Sequence, residues 1–134
     1  LYTNDFIKLW QKLSKDMKAS MEDQLSPLTE SQLNVLELLA GQDKMKPSDF
    51  IEHLETTPAA ITTILDRMEK NGLIVRERDE KDRRIVWICV TEKGEAERVR
   101  GLEVRRKFMD TYLNRISSHN QQLLLYLLGK VVNS

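Results

Sequence analysis

Cysteine, histidine and glycine are scarce in this chain of 134 residues, and each scarcity removes a class of function. Cys89 is the single cysteine, so no internal disulfide can form, and a reducing cytoplasm is the expected setting. His53 and His119 are the two histidines; they lie far apart, with no Cys or carboxylate at metal-ligand spacing, so no metal is expected. The five glycines make no phosphate-cradling loop. The carboxylates fall mostly on polar helix faces, where they read as solvated surface, and neither a catalytic residue nor a cofactor is expected. No apolar run approaches the roughly 20 residues of a membrane span, and there is no secretory leader, so no membrane partner is expected. The start at Leu1 implies a few natural residues before it. An excess of either charge is missing too: 21 basic residues face 21 acidic ones. From Lys44 to Arg84 the balance is nine against nine. A broad basic footprint is therefore excluded, and any nucleic-acid contact must depend on a few placed cations.

What is present is helix. With 40% apolar and 31% charged residues, the chain reads as one α-rich domain. Thr3 to Asp23 carries Phe6, Ile7, Trp10, Leu13, Met17 and Met21 at helical spacing, until Ser26-Pro27 breaks the pattern. Thr29 and Gln32 form a capping box for a second helix with Leu33, Leu36, Leu39 and Ala40, ended by Gly41. Further on, Thr91 caps a long helix to about Ile116, apolar at Val99, Leu102, Phe108, Met109, Tyr112 and Leu113. Ser118 and Gln121 read as another capping box, for Leu123 to Val132.

The centre of the chain runs from Lys46 to Gly94. Pro47 suits the first position of a short helix whose buried side would be Phe50, Ile51 and Leu54. Glu55 and Thr56 turn the chain, and Thr57 with Pro58 opens a second helix over 57–70. Ile61, Ile64, Leu65 and Met68 fall at i, i+3, i+4 and i+7, which buries one stripe. Ala59, Thr62, Thr63, Asp66, Arg67 and Lys70 lie opposite, all small or polar. Asn71-Gly72 stops the helix. A packed helix followed by a second one turned outward is a helix-turn-helix, whose second helix enters a DNA major groove. Leu73–Arg78 and Ile85–Val90 are β-rich, and DEKDRR between them is too polar for a core. Such a hairpin is a wing, with its tip over 78–85.

These residues carry a resemblance. Asp66, Arg67, Met68 and Glu69, then Gly72-Leu73, Asp82 and Arg84, and finally Val90-Thr91 and Gly94 follow the spaced pattern of the MarR family of winged-helix transcription regulators. Met68 and Val90 are mild apolar departures from it. The resemblance implies a mainly α fold with a small β-hairpin wing, spanning residues 1–134 as one domain. Its winged helix-turn-helix core would be 29–94, with dimerisation helices in 1–25 and 95–134. It implies a double-stranded DNA partner, bound as a palindromic operator, and a repressor rather than an enzyme. Arg84 would reach the minor groove while Asp82 fixes that arginine or the wing backbone; Lys81 and Arg83 would meet phosphate along the rim. An ordinary charged hairpin tip is the plainer alternative. Asp66 would form a salt bridge that steadies the recognition helix. Thr57, Pro58 and Ala59 would open that helix at the DNA.

Thr62 and Thr63 have two readings: base contact through hydroxyl and methyl, or plain solvent-facing residues. Many family members carry arginine where this chain has Thr63, which leaves direct guanine reading there without its usual group. Arg67 and Lys70 meet phosphate or simply keep the helix soluble. The last helix is apolar nearly all round and needs covering on most sides. With Phe6 on the first helix, its Leu124, Leu127, Leu128 and Val131 suggest a homodimer interface, against the alternative of a monomer that buries both helices internally. The family also implies a pocket for a small aromatic or lipophilic effector, to which Trp10, Leu13 and Met17 would contribute. A winged-helix module that binds protein and not DNA is the alternative that neutral charge allows. Cys89 reads as a small strand residue without a redox role.

Overall fold

A computed structural model describes all residues from 1 to 134. Helix α1 (Thr3–Leu25) is followed by α2 (Glu30–Ala40), α3 (Pro47–Leu54) and α4 (Pro58–Lys70). Strands β1 (Ile74–Arg78) and β2 (Val86–Val90) form an antiparallel hairpin, and α5 (Glu92–Leu113) and α6 (Ser118–Asn133) close the chain. None of the helices is long and apolar enough to cross a membrane.

Local chemistry sets most boundaries. At the start of α2, Thr29 Oγ1 accepts from the Gln32 amide at 3.1 Å and Gln32 Oε1 accepts from the Thr29 amide at 3.3 Å, which completes the expected box. Helix α3 has Pro47 in its first turn and ends on Glu55, whose φ of 50° is left-handed. After α4 the chain reverses at Gly72 with φ of 77°, a conformation that glycine adopts without strain. The α6 cap differs from expectation. Ser117, not Ser118, is the N-cap, and its Oγ accepts from the Asn120 amide. Gln121 faces the other way and donates to the carbonyls of Leu113, the last residue of α5, and of Ile116 in the turn that follows. Helix α5 accordingly stops at Leu113, three residues before the expected Ile116.

The core holds sixteen buried apolar residues. Met21 and Leu25 enter it from α1, Leu33, Val35, Leu36 and Leu39 from α2, and Phe50 from α3. Ile61, Leu65 and Met68 enter from α4, Ile74 and Ile88 from the hairpin and Phe108 from α5. Each such side chain contributes about 1.5–3 kcal/mol of transfer free energy, and three of them, Met21, Leu25 and Phe108, come from α1 and α5 to complete the core of the winged lobe. On α3 only Phe50 is fully buried; Ile51 and Leu54 are half-buried. Met45 adds a contact that periodicity does not announce. It exchanges two backbone hydrogen bonds with Ile88, at 3.1 and 2.7 Å, and ties the hairpin to the connection between α2 and α3.

The terminal helices are different. Helix α6 buries none of its residues. On α1 only Met21 and Leu25 are buried, while Phe6, Trp10 and Leu13 remain exposed. A single chain therefore does not cover these faces, against the alternative of a monomer that buries both helices internally.

Candidate nucleic-acid interface

Helix α4 is held by its apolar stripe and presents everything else outward. Thr57 Oγ1 accepts from the Ala60 amide at 3.1 Å, and Pro58 occupies the first turn, where its missing N–H costs no hydrogen bond. Pro58, Ala59, Thr62, Thr63 and Arg67 are all exposed. Both threonine hydroxyls turn back onto the helix: Thr62 Oγ1 donates to the Pro58 carbonyl at 2.8 Å and Thr63 Oγ1 to the Ala59 carbonyl at 3.1 Å.

One residue that the sequence pattern left unnamed anchors the far end of α4. Arg76 of β1 reaches across to Asp66 Oδ1 at 2.8 Å and to Glu69 Oε1 at 2.6 Å. The i, i+3 spacing of these carboxylates places both on one face, so a single guanidinium bridges them. The clue lay in strand alternation: Ile74 and Arg76 share a side of β1, and that side meets α4. The fork locks the hairpin to the helix, although such exposed pairs add little stability individually.

The wing tip is built on two aspartates. Asp79 Oδ2 accepts from the amides of Lys81 and Asp82, at 3.1 and 2.9 Å, and its Oδ1 accepts from Trp87 Nε1 at 3.0 Å. The indole N–H first, and the two amides after it, hold the Asp79 carboxyl below its usual range. Asp82 takes the next turn. Its Oδ1 accepts from the Arg84 amide at 3.1 Å, and the Arg84 guanidinium grips the same carboxylate at 3.0 Å through Nε and Nη2. That grip lowers the Asp82 carboxyl and raises the Arg84 guanidinium. Asp82 thus fixes both the arginine and the wing backbone, while the Arg84 side chain stays 91% exposed. Arg78 is spent on the hairpin itself, donating to the Arg83 carbonyl at 2.7 Å. Lys81 and Arg83 are exposed at the rim and make no salt bridge, as is true of Arg67 and Lys70 on α4. The even charge count therefore hides an uneven placement. Asp66, Glu69, Asp79 and Asp82 are engaged within the protein, and these four cations are not.

Where the hairpin leads into α5, the spacing of Thr91 and Gly94 has a steric cause. Thr91 Oγ1 donates to the Gly72 carbonyl at 2.5 Å and accepts from the Gly94 amide at 3.0 Å. A Cβ on Gly94 would lie 2.1 Å from the Leu73 carbonyl oxygen, so only glycine fits. The MarR family model matches residues 28–86, from just before α2 to the start of β2. The transcriptional repressor MdtR of Bacillus subtilis is 31% identical over 126 residues, covering 94% of this chain and 80% of that protein.

The chain belongs to the MarR family.

As a MarR-family chain it is a DNA-binding transcription regulator and not an enzyme, and the reading as a protein-only winged module falls. The crystal structure of YusO from Bacillus subtilis superposes with a TM-score of 0.80 at 30% identity, over 98% of this chain and 92% of that one. A mutant MarR from Escherichia coli, solved with operator DNA, shares the fold with a TM-score of 0.77 at 22% identity, over 98% and 97% of the two chains. In this MarR-family fold Trp10, Leu13 and Met17 line an open groove of about 300 Å³ with Met21, Glu30 and Met109. A second hollow of about 210 Å³ shares those last three residues and ends at Arg105. Arg105 Nη2 lies 2.9 Å from Glu37 Oε2, is shut off from solvent and is misaligned for a hydrogen bond. Cys89, half-buried in β2, has its thiol pushed up by burial first and by Glu77 next, despite Lys44 nearby.

Proposed function

We propose that this regulator acts in the cytoplasm as a homodimeric repressor on a palindromic operator. Two copies join through α1 and α6, with Phe6, Leu124, Leu127, Leu128 and Val131 between them. The observation that carries the reading is that α6, a 16-residue helix rich in leucine, buries none of its residues in the single chain. Large exposed apolar patches of this kind mark association surfaces. Two-fold symmetry then presents two α4 helices to half-sites about 10 base pairs apart on one face of the duplex. Thr57, Pro58 and Ala59 approach the backbone at the start of each helix, with Thr62 and Thr63 over the bases. Arg67, Lys81 and Arg83 meet phosphate. Arg84 enters the flanking minor groove, where a narrow A·T-rich groove concentrates negative potential. The winged core of 29–94 is on this reading the DNA-binding part, and 1–25 with 95–134 the dimerising part.

A small aromatic or lipophilic effector occupies the groove beneath Trp10, Leu13 and Met17, between the winged lobe and the dimer helices. Its walls are mostly apolar, and the adjoining hollow reaches Arg105, whose guanidinium is shared with Glu37 and would offer a carboxylate a charge partner. A gel-shift with the DNA upstream of the protein's own gene tests the whole reading. A discrete complex containing two chains per duplex is expected, released by aromatic acids from a small panel. Retention of no duplex at low salt would sink the operator reading, and flat release across a broad panel would sink the effector.

A further inference from the structure

We infer that α4 selects thymine-bearing steps through methyl groups and discriminates against guanine, with Thr62 and Thr63 as the specificity-determining residues. The inference rests on the reading of α4 as the major-groove helix. The N-terminal turns of such a helix are the part that reaches base edges. Here the exposed residues of those turns are Pro58, Ala59, Ala60, Thr62 and Thr63, and none has a side-chain N–H. Guanine offers the major groove only acceptors, N7 and O6, so reading it needs a donor. Within the helix the two threonine hydroxyl hydrogens are the candidates, and both are engaged, at 2.8 Å on Pro58 and 3.1 Å on Ala59. The Thr57 hydroxyl, which accepts from the Ala60 amide, lies before the helix at its N-cap, on the side assigned to the DNA backbone. Freeing either for guanine exchanges one hydrogen bond for another and yields little net preference.

What each threonine has left for a base is its γ-methyl and an oxygen lone pair. A T·A pair matches both, with the thymine 5-methyl for the apolar group and the adenine amino for the lone pair. A C·G pair supplies an amino group but no methyl. The alanine methyls of Ala59 and Ala60 extend the same apolar surface. Arg67, the first cation on the helix, lies about 6 Å further along the axis than Thr63 and is placed for phosphate.

The test starts from duplexes enriched by the wild-type chain from a random-sequence library, resynthesised with deoxyuridine for one thymidine at a time. This exchange removes a single methyl group and preserves pairing. At one or two thymines of each half-site, binding by anisotropy should weaken about three- to fivefold, the worth of one buried methyl. Thr63→Ser or Thr62→Ser should erase the thymine-over-uracil ratio at its own position, whereas Thr63→Val and Thr62→Val, which keep the methyl and lose the hydroxyl, should preserve it. Circular dichroism confirms that the four variants remain folded. Guanine enriched at the steps facing α4, indifference to uracil at every position, or serine variants that keep the ratio would each overturn the inference. Tight, sequence-selective binding without methyl dependence overturns it alone. A library that yields no enriched sequence overturns the operator reading, and this inference with it.

Discussion

The wing tip and the terminal helices are both exposed, for opposite reasons. The tip from Asp79 to Arg84 has almost no apolar burial, yet each of its turns is tied by a carboxylate within the same few residues. Helices α1 and α6 are regular and rich in leucine and aromatics, yet the apolar residues of α6 and of the N-terminal half of α1 stay exposed. The tip is complete within one chain and leaves Lys81 and Arg83 exposed without a salt bridge, beside one unpaired carboxylate, Glu80. The terminal helices are incomplete, and what they lack is apolar contact. One surface is thus prepared for a polyanion and the other for a second apolar surface, and perturbing each should leave the other intact.

The largest effect is expected at the helices. Leu124→Asp or Leu127→Asp places a charge on the proposed dimer face and should give monomers or aggregates in sedimentation velocity. Joining two binding modules raises affinity by roughly a hundredfold or more, so operator binding should fall by at least that factor. The wing should be untouched, because none of its hydrogen-bond partners lies on α6. A wild-type chain that sediments as a monodisperse monomer at micromolar concentration would remove the contrast altogether.

Next in size is the wing. Arg84→Ala should cost on the order of 1–3 kcal/mol of operator binding and flatten the preference for A·T pairs beside the half-sites. Sedimentation should still show a dimer. Because Arg84 also braces the tip through Asp82, folding and melting temperature have to be compared in the same preparation. Arg84→Ala that folds normally and binds as wild type would show that the wing is not a DNA contact. Lys81→Ala should act more weakly and on all sequences alike, lowering the slope of log K against log salt by about one.

The same contrast explains what could be read from the amino-acid sequence. The spacing of Asp82 and Arg84, of Thr57 and Pro58, and of Thr91 and Gly94 is local, since each pair acts across a few bonds or one turn. In the structure Arg84 bonds to Asp82, Thr57 caps the Ala60 amide with Pro58 in the first turn, and Thr91 caps the Gly94 amide, the short-range contacts that their spacing suggests. Long-range partners were less visible. Arg76 meets Asp66 across ten positions, and Met45 meets Ile88 across 43, pairings that depend on how the hairpin packs on α4 and α2. Nothing in the alternation of β1 distinguishes Arg76 from Arg78 until α4 is placed beside it. Ser117 displaced Ser118 as a cap for a related reason: two adjacent serines offer the same hydroxyl, and the end of α5 claims Gln121. For Cys89, read as a small strand residue without a redox role, the raised pKa predicts slow alkylation at neutral pH relative to a free cysteine, measured by the rate of reaction with a thiol reagent.

The smallest expected effect is that of acid on the tip. Asp79 and Asp82 are both held below the usual carboxylate value of 3.8, by Trp87 and by Arg84 respectively. A depressed folded-state value means that the folded tip favours the ionised carboxylates. Their stabilising contribution is present in full above the unfolded value and is lost as the pH falls through the still lower folded values. Wing order should therefore be flat from about pH 5 to 8 and fail only below about 4. Trp87 reports this directly, because its indole N–H is bonded to Asp79. In a Trp10→Phe background the remaining indole emission should stay constant across the neutral range and change in acid. Asp79→Asn should weaken the acid transition without altering sedimentation. A transition near pH 6 to 7 would mean that some group other than these two carboxylates holds the wing in place.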